Sequence, residues 1–256
     1  MPIAAPLRTR LSWLKAGNHG DMRYLTLCTD YDGTLATDGR VGARTAEALR
    51  RLTASGRHLV LVTGRELPDL QRVCSCLELF EYVVAENGAL LYQPAAQLEM
   101  PLAERPPETF VAALRARGVS RISVGRAIIA TWQPFETTVL ETIKDEGLEL
   151  QVVFNKGAVM VLPAGINKAS GLAAALERMG QSPAGAVGIG DAENDHALLR
   201  FCACGVAVAN ALPALKSTAD FVTLGDHGTG VEELIEELLE DDLASREPIR
   251  GRQRDL

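Results

Sequence analysis

The alternation of apolar and polar positions divides the chain into short β-branched apolar runs and longer stretches with helical spacing. Residues 24–29, 58–62, 82–85, 186–189 and 205–209 are apolar on both faces, the pattern of strands buried on both sides of a parallel sheet. Residues 43–55 carry Ala46, Leu49 and Leu52 on one face and stop at Gly56, as an amphipathic helix with a glycine stop does. Strand and helix in alternation predict an α/β fold, a doubly wound and mostly parallel sheet with right-handed crossovers.

That alternation breaks between residues 90 and 165. There residues 106–118 and 134–147 read as helices, and residues 121–131 as extended chain with a turn or bulge at Gly125. Residues 150–154 and 158–162 flank Asn155-Lys156-Gly157, a hairpin turn. Helices mixed with adjacent antiparallel strands predict a smaller α+β domain over residues 90–165, inserted between core segments 21–89 and 166–240. Residues 1–20 carry little pattern and read as an N-terminal extension. Residues 241–256 run from acidic to basic (Arg246, Arg250, Arg252, Arg254) without apolar periodicity, as a solvated tail does.

Composition narrows the partners. The 256 residues hold 26 Lys+Arg against 33 Asp+Glu, a formal net charge of −7, which argues against general affinity for nucleic acid or anionic membrane. No apolar run approaches the roughly 18 residues of a membrane span. Arg8 and Arg10 are not followed by the apolar stretch of a secretion signal, so a cytoplasmic protein is expected. Oligomeric state is not readable. Cys74/Cys76 and Cys202/Cys204 are spaced too closely for ordinary zinc ligation, and the five cysteines read as reduced, semi-buried thiols.

The chemistry concentrates where the predicted strands end. The first run leads into Thr29-Asp30-Tyr31-Asp32-Gly33-Thr34. Two carboxylates two positions apart repel each other unless a cation lies between them or one is protonated; their oxygens suit Mg²⁺. Thr63-Gly64-Arg65 ends the second run with a hydroxyl and a glycine-freed backbone at the head of a helix, suited to a phosphate oxygen. Lys168 opens the next helical run, where it could neutralise phosphate. Gly190-Asp191-Ala192-Glu193-Asn194-Asp195 adds further carboxylates after a sharp turn. Ligands of open α/β sheets bind at the carboxyl ends of strands, so these four groups would converge on one crevice.

In their order these segments resemble the four motifs of the haloacid dehalogenase superfamily. Ala85-Glu86-Asn87-Gly88-Ala89 and Val206-Ala207-Val208-Ala209-Asn210-Ala211 extend the likeness to its Cof-type branch, whose type IIB cap is inserted between the second and third motifs. Asp32 and Thr63 lie 31 positions apart, whereas Thr63 and Lys168 lie 105 apart, which also locates the insertion. The resemblance implies a Mg²⁺-dependent phosphatase acting on small phosphorylated metabolites, such as a sugar phosphate or a phosphoglycolate-like acid. By that likeness Asp30 is the nucleophile that becomes an aspartyl-phosphate, and Asp32 the general acid and base. Asp30, the Asp32 carbonyl, Asp191 and Asp195 would hold the metal, Asp195 directly or through water. Thr63, Gly64, Lys168 and Asn194 would serve the phosphate, with Asn87 near the substrate; Arg65 would reach the substrate or only the interface between the domains. Arg126, Trp132, Phe135 and Lys156 are the inserted domain's candidates for contact with the leaving group, against a structural or surface role for each. A phosphomutase of the same branch, a phospho-Asp signalling module and a binding protein without turnover stay open at this level.

Overall fold

A computed structural model describes residues 22–246; the expected extension over residues 1–20, and Arg250, Arg252 and Arg254, lie outside the described residues. In chain order the elements are β1 (Thr26–Thr29), α1 (Ala43–Ala54), β2 (His58–Val62), α2 (Leu67–Val73), β3 (Tyr82–Ala85), β4 (Leu90–Gln93) and β5 (Leu98–Pro101). An insertion follows, with α3 (Glu108–Ala116), β6 (Ser123–Val124), β7 (Ile129–Trp132), α4 (Glu136–Asp145), β8 (Leu150–Asn155) and β9 (Ala158–Pro163). The core resumes with α5 (Lys168–Met179), β10 (Ala186–Gly190), α6 (His196–Phe201), β11 (Cys204–Ala207), α7 (Pro213–Lys216), β12 (Phe221–Val222) and α8 (His227–Glu240).

The apolar runs become neighbours in one eight-stranded sheet of order β12-β11-β10-β1-β2-β3-β4-β5. Pairing is parallel from β12 to β3. Strand β1 is buried along its whole length, as a central strand covered on both faces must be. Helix α1 packs on α8, and α5 on α6, β2 and β3, so the sheet is an α/β layer with flanking helices. The alternation of chain direction and crossover places the ends of β1, β2 and β10 side by side, because β1 pairs with both others in register.

The sheet extends further than the hydrophobic pattern indicates. Residues 90–101, expected within the insertion, form the antiparallel strands β4 and β5 on β3. Their short apolar run with a Pro94-Ala95-Ala96 turn looks like any small hairpin in sequence; its partner, β3, is what assigns it to the core. β5 is the sheet edge, where Pro101 and an exposed Leu98 are tolerated.

The separate sheet of the insertion has order β6-β7-β9-β8 and is antiparallel throughout. Phe110, Val111 and Leu114 of α3 and Val139 and Ile143 of α4 cover it, forming a second core with Ile129 and Val161. A small third cluster, with Ala89, Ala127, Met160 and Leu162, lies between the two sheets. The hairpin β8–β9 turns through Lys156 (φ 48°) and Gly157 (φ 83°), the doubly left-handed pair that a two-residue hairpin turn uses.

At the C-terminal end, residues 241–246 depart from the expected loose tail. Leu243 is buried, Asp242 pairs with Arg57, and Arg246 lies over Phe221 while bonding Glu233 and Glu237. These charges find partners on the core, which a linear reading of an acidic-to-basic run cannot show. All five cysteines are buried and none forms a disulfide. Among the described residues no helix is long and apolar enough to cross a membrane.

Candidate active site

Each loop leaving a central strand is shaped to present a polar group. The Asp30 N–H donates to the Ile189 carbonyl (3.0 Å), which fixes the end of β1 against β10. The turn after it needs Gly33 (φ 87°): a β-carbon there would come within 2.4 Å of an Asp191 carboxylate oxygen. The loop after β10 is folded by Asp195, whose Oδ2 accepts the N–H groups of Asp191 and Ala192 (3.0 Å each). At the third loop, the Asn167 side chain caps α5 by accepting from Ala169 and Ser170, placing Lys168 in the first turn with its ammonium directed into the sheet end.

These loops bring four charged groups together. Lys168 Nζ donates to Asp30 Oδ1 (2.5 Å) and Asp195 Oδ1 (2.6 Å). Carboxylate oxygens of Asp30, Asp191 and Asp195 lie within 4.8 Å of one another, all three residues buried. Burial pushes the Asp30 carboxyl up to about 7, reinforced by the charge of Asp195 and opposed by Lys168. Burial also raises Asp191, against the pull of Lys156. Burial lowers the Lys168 ammonium, but Asp195 and Asp30 outweigh it and hold it above its ordinary value. Three buried carboxylates around one buried ammonium leave excess negative charge, the electrostatic setting of a cation site.

The other expected residues divide. Thr63 is buried at the end of β2, and it and the half-buried Gly64 line a cavity of about 590 Å³ together with Asp30 and Asp32. Arg65, expected at the substrate or the domain interface, grips Asp32 with a two-pronged contact: Nε to Oδ2 at 2.6 Å and Nη2 to Oδ1 at 2.8 Å. A third guanidinium nitrogen reaches Asp69. Asn87 is buried and accepts from Asn194 Nδ2 (3.0 Å). That pair braces the loops, while Asn194 Oδ1 is buried without a hydrogen-bond partner.

The inserted domain roofs the cavity through Arg121, Ser123, Trp132, Asn155 and Met160, among others. Of the four residues singled out there, Trp132 lines it. Lys156 reaches the core, donating to the Asp32 carbonyl (2.8 Å) and pairing with Asp191 Oδ2 (2.8 Å). Arg126 instead pairs with Glu99 on β5, and Phe135 packs in the insertion's own core; neither lines the cavity. Two residues escaped the sequence reading. Arg121 lies 3.7 Å over the Trp132 ring. Glu86, fully buried, accepts the N–H groups of Arg126 (2.9 Å), Ala127 (2.8 Å) and Ile128 (3.1 Å), tying the insertion to the core. Glu86 and Asn87 carry left-handed backbone there (φ 51° and 55°), which no spacing rule announces.

This geometry agrees with the comparisons. A phosphoglycolate phosphatase of Natronomonas pharaonis is 31% identical over 222 residues, covering 82% of this chain and 96% of its own. A 5-amino-6-(5-phospho-D-ribitylamino)uracil phosphatase of Bacillus subtilis is 26% identical over 243 residues, covering 84% and 96%. The fold matches a haloacid dehalogenase-like hydrolase from Bacteroides thetaiotaomicron with TM-score 0.70 at 22% identity, over 84% of this chain and 99% of that one. The family model for haloacid dehalogenase-like hydrolases covers residues 27–128 and 131–235, and the chain belongs to that family.

Proposed function

We propose that the chain is a Mg²⁺-dependent phosphatase for small phosphorylated acids, acting through a phosphoryl group carried on Asp30. The observation that carries this reading is the convergence of Asp30, Asp32, Thr63 and Gly64 at one wall of a 590 Å³ cavity whose other wall belongs to the inserted domain. A signalling receiver has no use for such a roof.

The donor set fits a hard divalent cation: clustered carboxylate oxygens, and a backbone carbonyl, that of Asp32, already in contact with a positive charge. Asp30, the Asp32 carbonyl and Asp191 would hold it. Asp195 spends Oδ1 on Lys168 and Oδ2 on backbone N–H groups, so it would serve through water or by shaping the loop. When bound, Mg²⁺ supplies Lewis-acid charge that lets the nucleophile approach an anionic phosphoryl group.

The residues supply the rest. Lys168 holds Asp30 by Oδ1, whose remaining lone pair would face the metal, while Oδ2 makes no protein hydrogen bond among the described residues and is the oxygen that would attack phosphorus. The bond to the leaving oxygen breaks as Asp32 gives that oxygen a proton. Asp32 then takes a proton from water, whose oxygen attacks the same phosphorus, and cleavage of the P–O bond to Asp30 frees phosphate. The Arg65 fork orients Asp32 for both tasks. Thr63 and Lys168 would take the equatorial phosphoryl oxygens, the electrostatic stabilisation on which phosphoryl transfer depends.

The acid preference rests on Arg121. Arg65 and Arg72, which also line the cavity, pair with Asp32 and Asp69. Among the described residues Arg121 has no such ion pair, and its guanidinium carbon lies over the Trp132 ring, 3.7 Å from the centroid. A guanidinium placed in this way is suited to grip a carboxylate on the leaving group.

The test is phosphate release from phosphoglycolate and from 2-hydroxyethyl phosphate, which replaces its carboxylate by a neutral alcohol. Release should require Mg²⁺ and vanish in Asp30→Asn. In Arg121→Ala, kcat/KM should fall about 10- to 100-fold for phosphoglycolate, the worth of a charge-assisted hydrogen bond, and stay within about threefold for the neutral ester. Equal losses on both esters would remove Arg121 from carboxylate recognition. Hydrolysis by Asp30→Asn would overturn the nucleophile.

A further inference from the structure

The β8–β9 turn ends in a charge placed with unusual purpose. Lys156 is the first of the two left-handed turn residues (φ 48°), a position that favours Asn, Asp or Gly and disfavours a long side chain. From this tip its ammonium crosses to the core and lies 2.8 Å from the Asp32 carbonyl oxygen and 2.8 Å from Asp191 Oδ2. Space is made for it by Gly33, where an added β-carbon would stand 2.5 Å from Nζ and 2.4 Å from Asp191 Oδ2. Among the described residues the buried Asp191 carboxylate takes one other hydrogen bond, from the Thr34 hydroxyl at 3.3 Å.

The two oxygens Lys156 touches are a backbone carbonyl and a carboxylate, both belonging to the donor set assigned above to the divalent cation. An ammonium with three donors satisfies the same electron pairs that a metal ion would. Lys168 cannot do this, because it is committed to Asp30 and Asp195 from the other side. We propose that Lys156 is a surrogate cation: its ammonium competes with the divalent cation for the Asp32 carbonyl and Asp191, clamps the inserted domain onto the core through them, and is displaced when the divalent cation binds. The proposal rests on the metal site of the preceding section.

Two positive charges drawn to the same two oxygens repel each other, so metal binding and the Lys156 contact oppose each other. By linkage each weakens the other by the same factor. The metal would therefore unlock the hairpin from the catalytic loops, and the enzyme would close on its substrate with a loaded site rather than on itself. A clamp formed nine-tenths of the time lowers apparent metal affinity about tenfold, since only the unclamped fraction binds.

The test is calorimetric titration of the full chain with MgCl₂ alone, for the wild type, Lys156→Met and Asp191→Asn. It is paired with hydrogen–deuterium exchange over residues 150–163. Lys156→Met keeps the aliphatic stem and removes the charge; it should bind Mg²⁺ about tenfold more tightly than wild type. A merely damaged fold would weaken binding, not tighten it. Mg²⁺ should speed exchange in the hairpin of the wild type and leave that of Lys156→Met unchanged. Equal or weaker Mg²⁺ binding by Lys156→Met, with binding lost in Asp191→Asn, would overturn the clamp while leaving the metal site intact. Mg²⁺ binding unaffected by Asp191→Asn, or absent from wild type and Lys156→Met alike, would overturn the metal site itself and the clamp with it.

Discussion

Asp30 combines two demands that conflict. As the proposed nucleophile it must be ionised to attack phosphorus, yet burial and Asp195 raise its carboxyl from 3.8 to about 7. A carboxyl whose folded value lies above its unfolded value favours the folded state when protonated, so its contribution falls as pH rises from about 4 to about 7. Asp30→Asn removes that titration. In EDTA, the stability of the wild type minus that of Asp30→Asn should therefore fall across this window, by up to about 1.4 kcal/mol per pH unit, and level off above it. Urea unfolding at a series of pH values checks this; a difference that does not change with pH would contradict the burial argument. At this scale most of the site was legible. Asp30, Asp32, Thr63, Lys168, Asp191 and Asp195 meet because each follows a recognisable strand or opens a recognisable helix. Arg65 was placed but not its partner, because a fork closing on Asp32 depends on how two loops curve. Arg121 lies on the far wall of the cavity, and nothing in the spacing of residues connects it with Asp30.

At the scale of elements, two close approaches hold the catalytic loops. Gly171 of α5 sits so near the Asn87-Gly88 turn that a β-carbon would lie 2.4 Å from Val84 Cγ1 and 2.7 Å from Gly88 Cα. Alanine is the better helix former, but here it would force α5 outward, and with it Lys168. Gly171→Ala should cost about 1–3 kcal/mol in denaturant unfolding and lower kcat; a stabilised variant of full activity would show that the helix has room. Glu86 is the second joint. Its carboxylate accepts three N–H groups of the turn between β6 and β7, and Gly125 admits it, since a β-carbon there would stand 2.7 Å from Glu86 Oε2. Glu86→Ala strands buried donors and should cost about 3 kcal/mol, with exchange rising over residues 123–132. Unchanged stability would mean the joint is held by the small apolar cluster alone. The sequence showed the turn at Gly125 but not its partner. It also placed residues 90–101 within the insertion rather than on β3, because an apolar hairpin does not reveal which strand it extends.

Over the whole molecule, function depends on a division of labour between two sheets. The parallel sheet aligns strand ends so that charges repel one another at one edge, and the antiparallel insertion covers that edge with Arg121, Trp132 and Lys156. The first half of this plan follows from alternating apolar runs and was readable. The second depends on how the insertion lies over the core, which Glu86, Lys156 and a few apolar contacts decide. Phosphoryl transfer through Asp30 is the claim on which the rest depends. It is tested most directly with Asp32→Asn, mixed with Mg²⁺ and p-nitrophenyl phosphate, whose leaving group departs without a proton from Asp32, quenched in acid and examined by peptide mass spectrometry. Loss of the acid and base that serves hydrolysis should leave phosphate on the peptide containing Asp30, and none when Asp30→Asn is combined with it. Phosphate on another residue, or on the peptide despite Asp30→Asn, would contradict the account.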